Sequence, residues 1–206
     1  GLRVGCNGTV RSLEPHPEIF SLLQSNANRF NSLLGCNVLQ PFRVAASDVS
    51  RRQELFQSGD WYRNTGLARL TGPNVERPVP AISVNCVTLD TAFPDSFAPA
   101  LIKMDVEGHE LAALQGASAM LSRSVRDIVF EDLGRYPSPV MSLLEERGFR
   151  IFALSRFLSR PRLSSPDRKG VPRRADPNYL ATRDPDRAIH RLNPTGWRVL
   201  KPLFSG

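Results

Sequence analysis

One stretch of the chain constrains the fold more than any other. It spans residues 101–111 and reads Leu-Ile-Lys-Met-Asp-Val-Glu-Gly-His-Glu-Leu. A short apolar run ends abruptly in acidic residues and glycine, and the chain then continues at helical spacing, which is typical of a buried parallel strand followed by a helix. In an open α/β sheet, ligands bind outside the carboxyl ends of the strands. We therefore expect the acidic residues of this stretch to lie at a functional site.

Composition limits the class of protein. With 206 residues and 41% hydrophobic content, the chain is long enough for one domain with a core of two or three layers. No apolar run approaches the roughly 18 residues that cross a bilayer, so no membrane span is predicted. The cysteines Cys6, Cys36 and Cys86 are odd in number and lack metal-ligand spacing, which favours reduced thiols in a cytoplasmic protein and no metal site.

The formal net charge of +7 is concentrated in the last quarter of the chain. Residues 1–149 carry a net charge of −2, whereas residues 150–206 carry +9. Such a basic segment either binds an anionic partner or forms a solvated, partly mobile region. Its arginines are interleaved with Pro and Ser rather than with aromatic residues that stack on bases, which disfavours nucleic acid as the partner. They include Arg156, Arg160, Arg162, Arg168, Arg173 and Arg174.

A strand followed by a helix recurs along the chain. Pro17 stands where the first residue of a helix needs no N–H, and Ser138 with Pro139 marks another helix start, with an end at Gly148. A further helix follows the acidic stretch, where Gly116 permits close packing of the helix against the sheet. Besides the strand of the acidic stretch, the predicted strands are residues 9–13, 42–46, 81–87, 127–131, 149–154 and 178–182.

This alternation predicts an α/β fold, with a mostly parallel sheet, helices on both faces and right-handed crossovers. We expect residues 1–155 to form the core, with a polar loop through Trp61 between its second and third strands. Residues 156–176, rich in Pro, Ser and Arg, are predicted as an insertion or loop. Residues 177–206 are predicted as a last strand at the edge of the sheet, followed by a basic tail.

Acidic residues follow four of the predicted strands, at the edge where such sheets bind ligands. They are Glu14, Asp48, Asp105 with Glu107, and Glu131 with Asp132. Glu14 is suited to accept hydrogen bonds from both hydroxyls of a ribose, or else it complements the dipole of the next helix. Asp105 ends an apolar strand directly and is costly to bury without a partner, which favours a role in the site. For Glu107, a role in the site and a role in complementing the dipole of the following helix are equally favoured.

His109 follows these acidic residues at the start of a helix. It is a candidate general base, because the usual pKa of imidazole permits proton transfer near neutral pH. A single histidine at a helix start is more often a surface or capping residue. The residue pattern leaves both roles open.

Five segments of the chain form an ordered series. They are Leu13-Glu14-Pro15-His16-Pro17-Glu18-Ile19-Phe20, Val44-Ala45-Ala46-Ser47-Asp48, Asn64-Thr65-Gly66, Thr88-Leu89-Asp90, and Lys103-Met104-Asp105-Val106-Glu107-Gly108-His109-Glu110 with Leu114-Gln115-Gly116-Ala117. This series resembles the FkbM family of S-adenosylmethionine-dependent methyltransferases. The resemblance covers about residues 9–155, and its most specific part is the last segment.

The resemblance implies a class I methyltransferase with a Rossmann-like three-layer α/β sandwich. Such an enzyme moves a methyl group from S-adenosylmethionine to a hydroxyl of a sugar, glycan or polyketide-like small molecule. Carried over by position, Glu14 would hold the ribose diol of the cofactor, and Asp48 would lie near the adenine amino group. Asp105 would lie near the methionine part and the transferring methyl, with Glu107 beside it. Asp105 or His109 would take the proton of the acceptor hydroxyl.

The resemblance also implies a first strand and a Gly-rich turn that cradles the carboxypropyl end of the cofactor. Gly5-Cys6-Asn7-Gly8 does not match that turn, so we expect the chain to lack this strand, with residues 1–4 as the end of the first helix. A sheet without its middle strand has two exposed edges. A longer parent chain, a rearrangement or a partner would then fill the gap.

Two other functions remain open. A nucleotide-dependent dehydrogenase would also place an acidic residue at Glu14, but the sequence before it lacks the G-x-G-x-x-G turn. A catalytically impaired binding module would use the basic C-terminal region to hold an anionic partner, and its binding would weaken as salt rises. The ordered series of segments favours the methyltransferase.

Overall fold

The computed structural model describes residues 4–56, 68–70, 81–157, 160–167 and 178–192. The chain divides into two compact units, residues 1–94 with 115–117 and residues 95–114 with 118–206. Several predicted features lie outside the described residues, namely residues 1–3, the loop through Trp61, Asn64-Thr65-Gly66, Arg168, Arg173, Arg174 and the tail beyond residue 192. Among the described residues, no helix combines the length and the apolar character needed to cross a membrane.

The first unit begins with a strand, a helix and a second strand. β1 (Val10–Leu13) pairs in parallel with β2 (Leu39–Phe42), and α1 (Pro17–Leu34) connects them. The helix begins with the proline that predicted its start, and Gly35 follows it with a φ of +68°, a left-handed conformation that glycine adopts without steric cost. The first predicted strand and helix are therefore present.

One side chain ties α1 to the start of β2. The carboxamide oxygen of Asn31 accepts hydrogen bonds from the N–H groups of Val38 and Leu39, at 3.0 and 2.9 Å. Its Nδ2 donates to the carbonyl oxygen of Leu39 at 2.8 Å and to Oδ1 of Asn37 at 2.9 Å. Asn31 thus bonds both backbone groups of Leu39, as a neighbouring strand would.

A four-stranded sheet completes the first unit, in the order β3-β6-β4-β5. Its strands are β3 (Ala45–Ala46), β4 (Arg51–Phe56), β5 (Arg69–Leu70) and β6 (Ala81–Val87), and α2 (Leu89–Ala92) follows them. β3 is parallel to β6, whereas β4 is antiparallel to β5 and β6. The polar loop predicted after Asp48 therefore contains a strand, because Leu55 of β4 is buried in the core that Ala45, Val84 and Cys86 form.

Cys6 and Cys36 form a disulfide, with their Cα atoms 5.7 Å apart. The register of β1 and β2 brings them together, because Val10 lies opposite Leu39 and the two cysteines shortly precede this pair. The prediction of reduced thiols is wrong for these two and is confirmed for Cys86, which is free and buried. The expectation of a cytoplasmic location loses the support that reduced thiols gave it.

The second unit contains a five-stranded sheet in the order β10-β9-β11-β8-β7. Its strands are β7 (Leu101–Met104), β8 (Asp127–Glu131), β9 (Arg150–Phe157), β10 (Arg160–Ser164) and β11 (Asn178–Thr182). β7 and β8 are parallel, whereas β9, β10 and β11 pair antiparallel. The prediction of a mostly parallel sheet is wrong, because β9 and β10 form a hairpin and β11 returns in the opposite direction.

Three strands of this sheet differ from the prediction, β11 and β10 in position and β7 in burial. β11 lies between β8 and β9 rather than at the edge, and its residues 179–182 are buried. β10 lies within the stretch predicted as an insertion or loop. β7 is half exposed rather than buried, because its side chains alternate between the two faces of the sheet and Leu101 remains 58% exposed.

Helices and a buried core complete the second unit. The helices that follow β7 are α3 (Glu110–Gln115), α4 (Ser118–Arg123), α5 (Pro139–Glu146) and α6 (Pro185–Leu192). The predicted cap of α5 is present, since the Ser138 hydroxyl accepts a hydrogen bond from the N–H of Met141 at 3.2 Å. The largest buried side chains in this unit are Phe130, Leu114, Met120, Leu121, Ile128, Met141, Leu144 and Val125.

A buried carboxylate holds α6 to β8. Asp127 is 9% exposed, and each of its oxygens accepts a hydrogen bond from Nη2 of Arg187 at 2.6 Å. The hydroxyl of Thr182 also donates to Asp127, at 2.7 Å. Pairing and hydrogen bonding compensate a charge that is buried in this way. The first part of the predicted basic tail is therefore a helix packed on the sheet.

Candidate functional site

The end of β1 presents a partly desolvated carboxylate. Glu14 continues the pairing of β1, since its N–H donates to the carbonyl oxygen of Phe42 at 3.0 Å. Its side chain is half-buried, and Oε1 accepts from the N–H of His16 at 2.8 Å. Burial raises the pKa of the Glu14 carboxyl, and the hydrogen bond from His16 opposes that rise. A carboxylate has about four acceptor positions, so Glu14 retains the capacity to bind a diol.

His16 is a buried neighbour of Glu14 to which the residue pattern assigns no role. It is 2% exposed and precedes the first residue of α1, where its carbonyl oxygen accepts from the N–H of Phe20 at 2.8 Å. Burial lowers the pKa of the imidazole, and the nearby charge of Glu18 opposes that change. His16 therefore fixes the turn that carries Glu14. In the sequence, Pro15 and Pro17 on either side of His16 indicate this turn.

Asp48 follows β3 on a tightly held turn. Its side chain is exposed, and Oδ1 accepts from the hydroxyl of Ser47 at 3.0 Å. Ser47 is fully buried and donates its N–H to the carbonyl oxygen of Val87 at 2.9 Å. Gly116 packs directly on this turn, because a Cβ atom there would lie 1.8 Å from the carbonyl oxygen of Ser47. The close approach expected of Gly116 is therefore to the backbone that positions Asp48.

Asp105 directly follows β7 and is exposed. Lys103 donates from Nζ to Oδ2 of Asp105 at 3.0 Å. Residues two apart on a strand point to the same face, so alternation along the strand places Lys103 beside Asp105. An exposed ion pair of this kind contributes little to stability, about 0–1 kcal/mol. The carboxylate of Asp105 therefore remains accessible at the end of the strand.

A tight turn follows Asp105. Glu107 has a φ of +51° and Gly108 a φ of +92°, and the N–H of His109 donates to the carbonyl oxygen of Val106 at 3.2 Å. His109 immediately precedes α3, and its carbonyl oxygen accepts from the N–H of Ala113 at 3.0 Å. Glu107 and His109 are both half-buried. One short turn thus brings together Asp105, Glu107 and His109.

The neighbouring strand ends beside β7 with two more carboxylates. Met104 lies opposite Phe130 in the parallel pair, so Glu131 emerges next to Asp105 at the carboxyl edge. Asp132 is engaged within its own loop, where it accepts from the N–H of Gly134 at 2.7 Å and from the hydroxyl of Ser138. Within the described ranges, no three His, Cys, Asp or Glu side chains cluster as metal ligands would.

Residues 2–151 match the family of the methyltransferase FkbM domain. The chain belongs to the FkbM methyltransferase family. This FkbM domain is similar to the crystal structure of the methyltransferase FkbM from Methylobacillus flagellatus KT, with a TM-score of 0.50 and 19% identity. The similarity covers 84% of this chain and 36% of the other, so the chain spans about a third of that protein's length. Among curated proteins, none matches this chain.

The predicted site residues of the FkbM domain fall into both compact units. Glu14 and Asp48 belong to the first unit, where they follow strands of two different sheets. Asp105, Glu107 and His109 belong to the second unit and share the turn after β7. The structure brings the last three together with Glu131 at one sheet edge. All five residues remain candidates for the functional site.

Some arginines of the basic segment have structural roles in this FkbM domain. Arg183 lies over the ring of Phe149, 4.5 Å from its centroid, and donates to the carbonyl oxygen of Arg147 at 3.1 Å. Arg187 pairs with the buried Asp127. Where the C-terminal segment is described, these two side chains bind the domain itself. They offer no support for a binding module that acts through this segment.

Proposed function

We propose that this chain forms the cofactor-binding part of an S-adenosylmethionine-dependent O-methyltransferase. The acceptor is a hydroxyl on a sugar, glycan or polyketide-like small molecule. The match of residues 2–151 to the FkbM methyltransferase family carries the proposal. The acidic turn after β7 supports it, since ligands of α/β sheets bind at the carboxyl ends of parallel strands.

Glu14 has the properties of a ribose-binding residue. Its carboxylate is half-buried and partly desolvated, with one described hydrogen bond to its Oε1, from the N–H of His16. The two hydroxyls of a ribose would donate to the remaining acceptor positions and offset the cost of burial. Asp48, which is exposed beside the buried Ser47, is the candidate for the adenine amino group. Both residues fit the cofactor by the chemistry of their oxygens.

Asp105, Glu107 and His109 are the candidates for the methyl-transfer part of the site. When bound, S-adenosylmethionine supplies a methyl group on a positively charged sulfur, and negative carboxylates nearby favour that charge. Alignment of the acceptor oxygen supplies much of the rate in a displacement of this kind. Asp105 or His109 would accept the proton of the acceptor hydroxyl. The exposed position of Asp105 leaves its oxygens accessible to an acceptor.

Calorimetric titration with S-adenosylhomocysteine tests the cofactor assignment. We expect the chain, extended at its N-terminus where needed, to bind this product. Glu14→Gln should weaken binding about tenfold or more, because the loss of a charged acceptor costs about 1.5–3 kcal/mol. The matched control is Asp95→Asn, whose exposed carboxylate pairs with Arg123 on the surface. Equal losses in both variants, or no binding by any form, would contradict the proposal.

Turnover is tested with labelled S-adenosylmethionine and a panel of sugars, glycans and hydroxylated polyketides. Asp105→Asn should abolish transfer, whereas near-normal activity in that variant would rule out an essential role for its carboxylate. His109→Gln separates the two candidate bases, because it removes the imidazole and leaves the carboxylate of Asp105 in place. Loss of activity in only one of these variants, with unchanged affinity for S-adenosylhomocysteine, would assign the proton to that residue.

A further inference from the structure

The turn after β7 has a strained geometry. Its two central residues have positive φ values, +51° at Glu107 and +92° at Gly108, and the N–H of His109 closes the turn onto Val106. Positive φ at both central positions is the signature of a type I′ turn, which normally carries Asn-Gly or Gly-Gly. Gly108 suits its position. Among the described residues, Glu107 is the one residue other than glycine with a positive φ.

A left-handed glutamate persists when surrounding groups hold it in place. The next carboxylate along the chain, that of Glu110, contacts this turn. Glu110 is only 8% exposed, although glutamate is rarely buried without a partner. Its Oε1 accepts a hydrogen bond from the N–H of Gly108 at 3.2 Å. A buried carboxylate therefore binds the backbone of the strained turn itself.

Burial distinguishes this role from a general electrostatic one. A carboxylate that merely complements the dipole of α3 has no need to leave water, and leaving it is costly. Glu110 is buried and directed back at Gly108, two residues before it, rather than exposed on the helix surface. The contact fixes the peptide between Glu107 and Gly108. It thereby limits where the Glu107 side chain can stand.

We infer that Glu110 is a positioning residue whose carboxylate clamps the Glu107–Gly108 turn and sets the place of Glu107 at the carboxyl end of β7. Its effect on cofactor binding rests on the proposed function, whereas the clamp itself does not. Only Val106 separates Asp105 from Glu107. A loosened turn would therefore displace both carboxylates. Glu110 acts through this turn.

Two variants of Glu110 test the clamp. Glu110→Ala removes the acceptor, whereas Glu110→Gln keeps an oxygen in nearly the same place. The first readout is amide hydrogen exchange at Gly108, measured by NMR without any ligand. Exchange should accelerate about tenfold or more in Glu110→Ala, as expected for the loss of a hydrogen bond to a charged group, and much less in Glu110→Gln. Glu146→Ala, which removes an exposed carboxylate of α5, should leave Gly108 unchanged.

The second readout is the dissociation constant for S-adenosylhomocysteine. It should rise about tenfold in Glu110→Ala and be largely restored in Glu110→Gln. If no form of the chain binds this ligand, the proposed function fails, whereas exchange at Gly108 still tests the clamp. Unchanged exchange in Glu110→Ala would overturn the inference, as would equal losses in both variants.

A rescue variant tests the clamp even where Glu110→Ala does not fold. Glu107→Gly removes the left-handed strain, because glycine adopts positive φ freely. If Glu110→Ala does not fold, adding Glu107→Gly should restore folding, as judged by the thermal midpoint. A double variant that still fails to fold would contradict a role in holding this turn.

Discussion

Asn31 provides a quantitative test of how the first unit is held together. Its carboxamide makes four hydrogen bonds, and three of them are partly buried, with the N–H of Val38 and with both backbone groups of Leu39. At about 1 kcal/mol for each partly buried bond, their loss costs about 3 kcal/mol. Alanine is the better helix former by about half a kcal/mol. Asn31→Ala should therefore lower the free energy of unfolding by about 2–3 kcal/mol.

The matched control is Asn28→Ala, on the same helix. Asn28 is exposed and accepts one hydrogen bond, from Gln24 at 3.0 Å, so its replacement should change the free energy of unfolding by less than about 0.5 kcal/mol. Urea unfolding followed by circular dichroism measures both variants, and hydrogen exchange at Leu39 reports the local effect. Equal losses in the two variants, or a loss below about 0.5 kcal/mol for Asn31→Ala, would refute the bond-by-bond reasoning.

Three further predictions concern the same unit. Burial raises the pKa of Glu14, so its contribution to stability is greatest below its unfolded pKa and is lost as pH rises through the folded pKa. The unfolding free energy of Glu14→Gln, measured relative to that of wild type, should therefore increase as pH rises from about 4. A difference that does not change with pH would contradict a raised pKa. Replacing Cys6 and Cys36 by serine removes a cross-link between residues with a sequence separation of 30. The free energy of unfolding, measured in urea, should fall by about 3.5 kcal/mol. An unchanged value would mean that the native thiols are unpaired. Gly116→Ala should lower the free energy of unfolding by about 3 kcal/mol, because its Cβ would overlap a backbone carbonyl. Gly35→Ala should lower it by only about 1–2 kcal/mol, because Gly35 has open space around it.

Local signals in the sequence predicted the elements that depend on local chemistry. A proline begins α1, Ser138 caps α5, and a run of apolar residues marks β8. These signals act within a few residues of the element that they specify. The same holds for the acidic turn after β7, whose residues come together because they are neighbours in the chain.

The pairing of strands was harder to predict because it depends on distant residues. β4 is polar apart from Leu55 and Phe56, and its partner β6 decides that it forms a strand. β11 was placed at an edge because it comes last in the alternating pattern, yet its apolar residues fit the centre of the sheet. The disulfide likewise depends on the register of β1 and β2.

The candidate site shows the same division. The acidic residues were found by their place after the strands, but the groups that hold them were not. The importance of Glu110 lies in its burial and in its contact with Gly108, and neither can be predicted from the amino-acid sequence alone. The pairing of Lys103 with Asp105 was accessible, because alternation along a strand already places them on one face.

The strand order of the second unit also fixes the sequence of events in its folding. β8 and β9 are connected through α5, yet they become part of one sheet only when β11 inserts between them. Before residues 178–182 have left the ribosome, β8 can pair with β7 and β9 with β10, but these two halves have no common strand. A nascent chain therefore carries open strand edges until residues 178–182 have been synthesised, and unpaired edges of this kind favour aggregation.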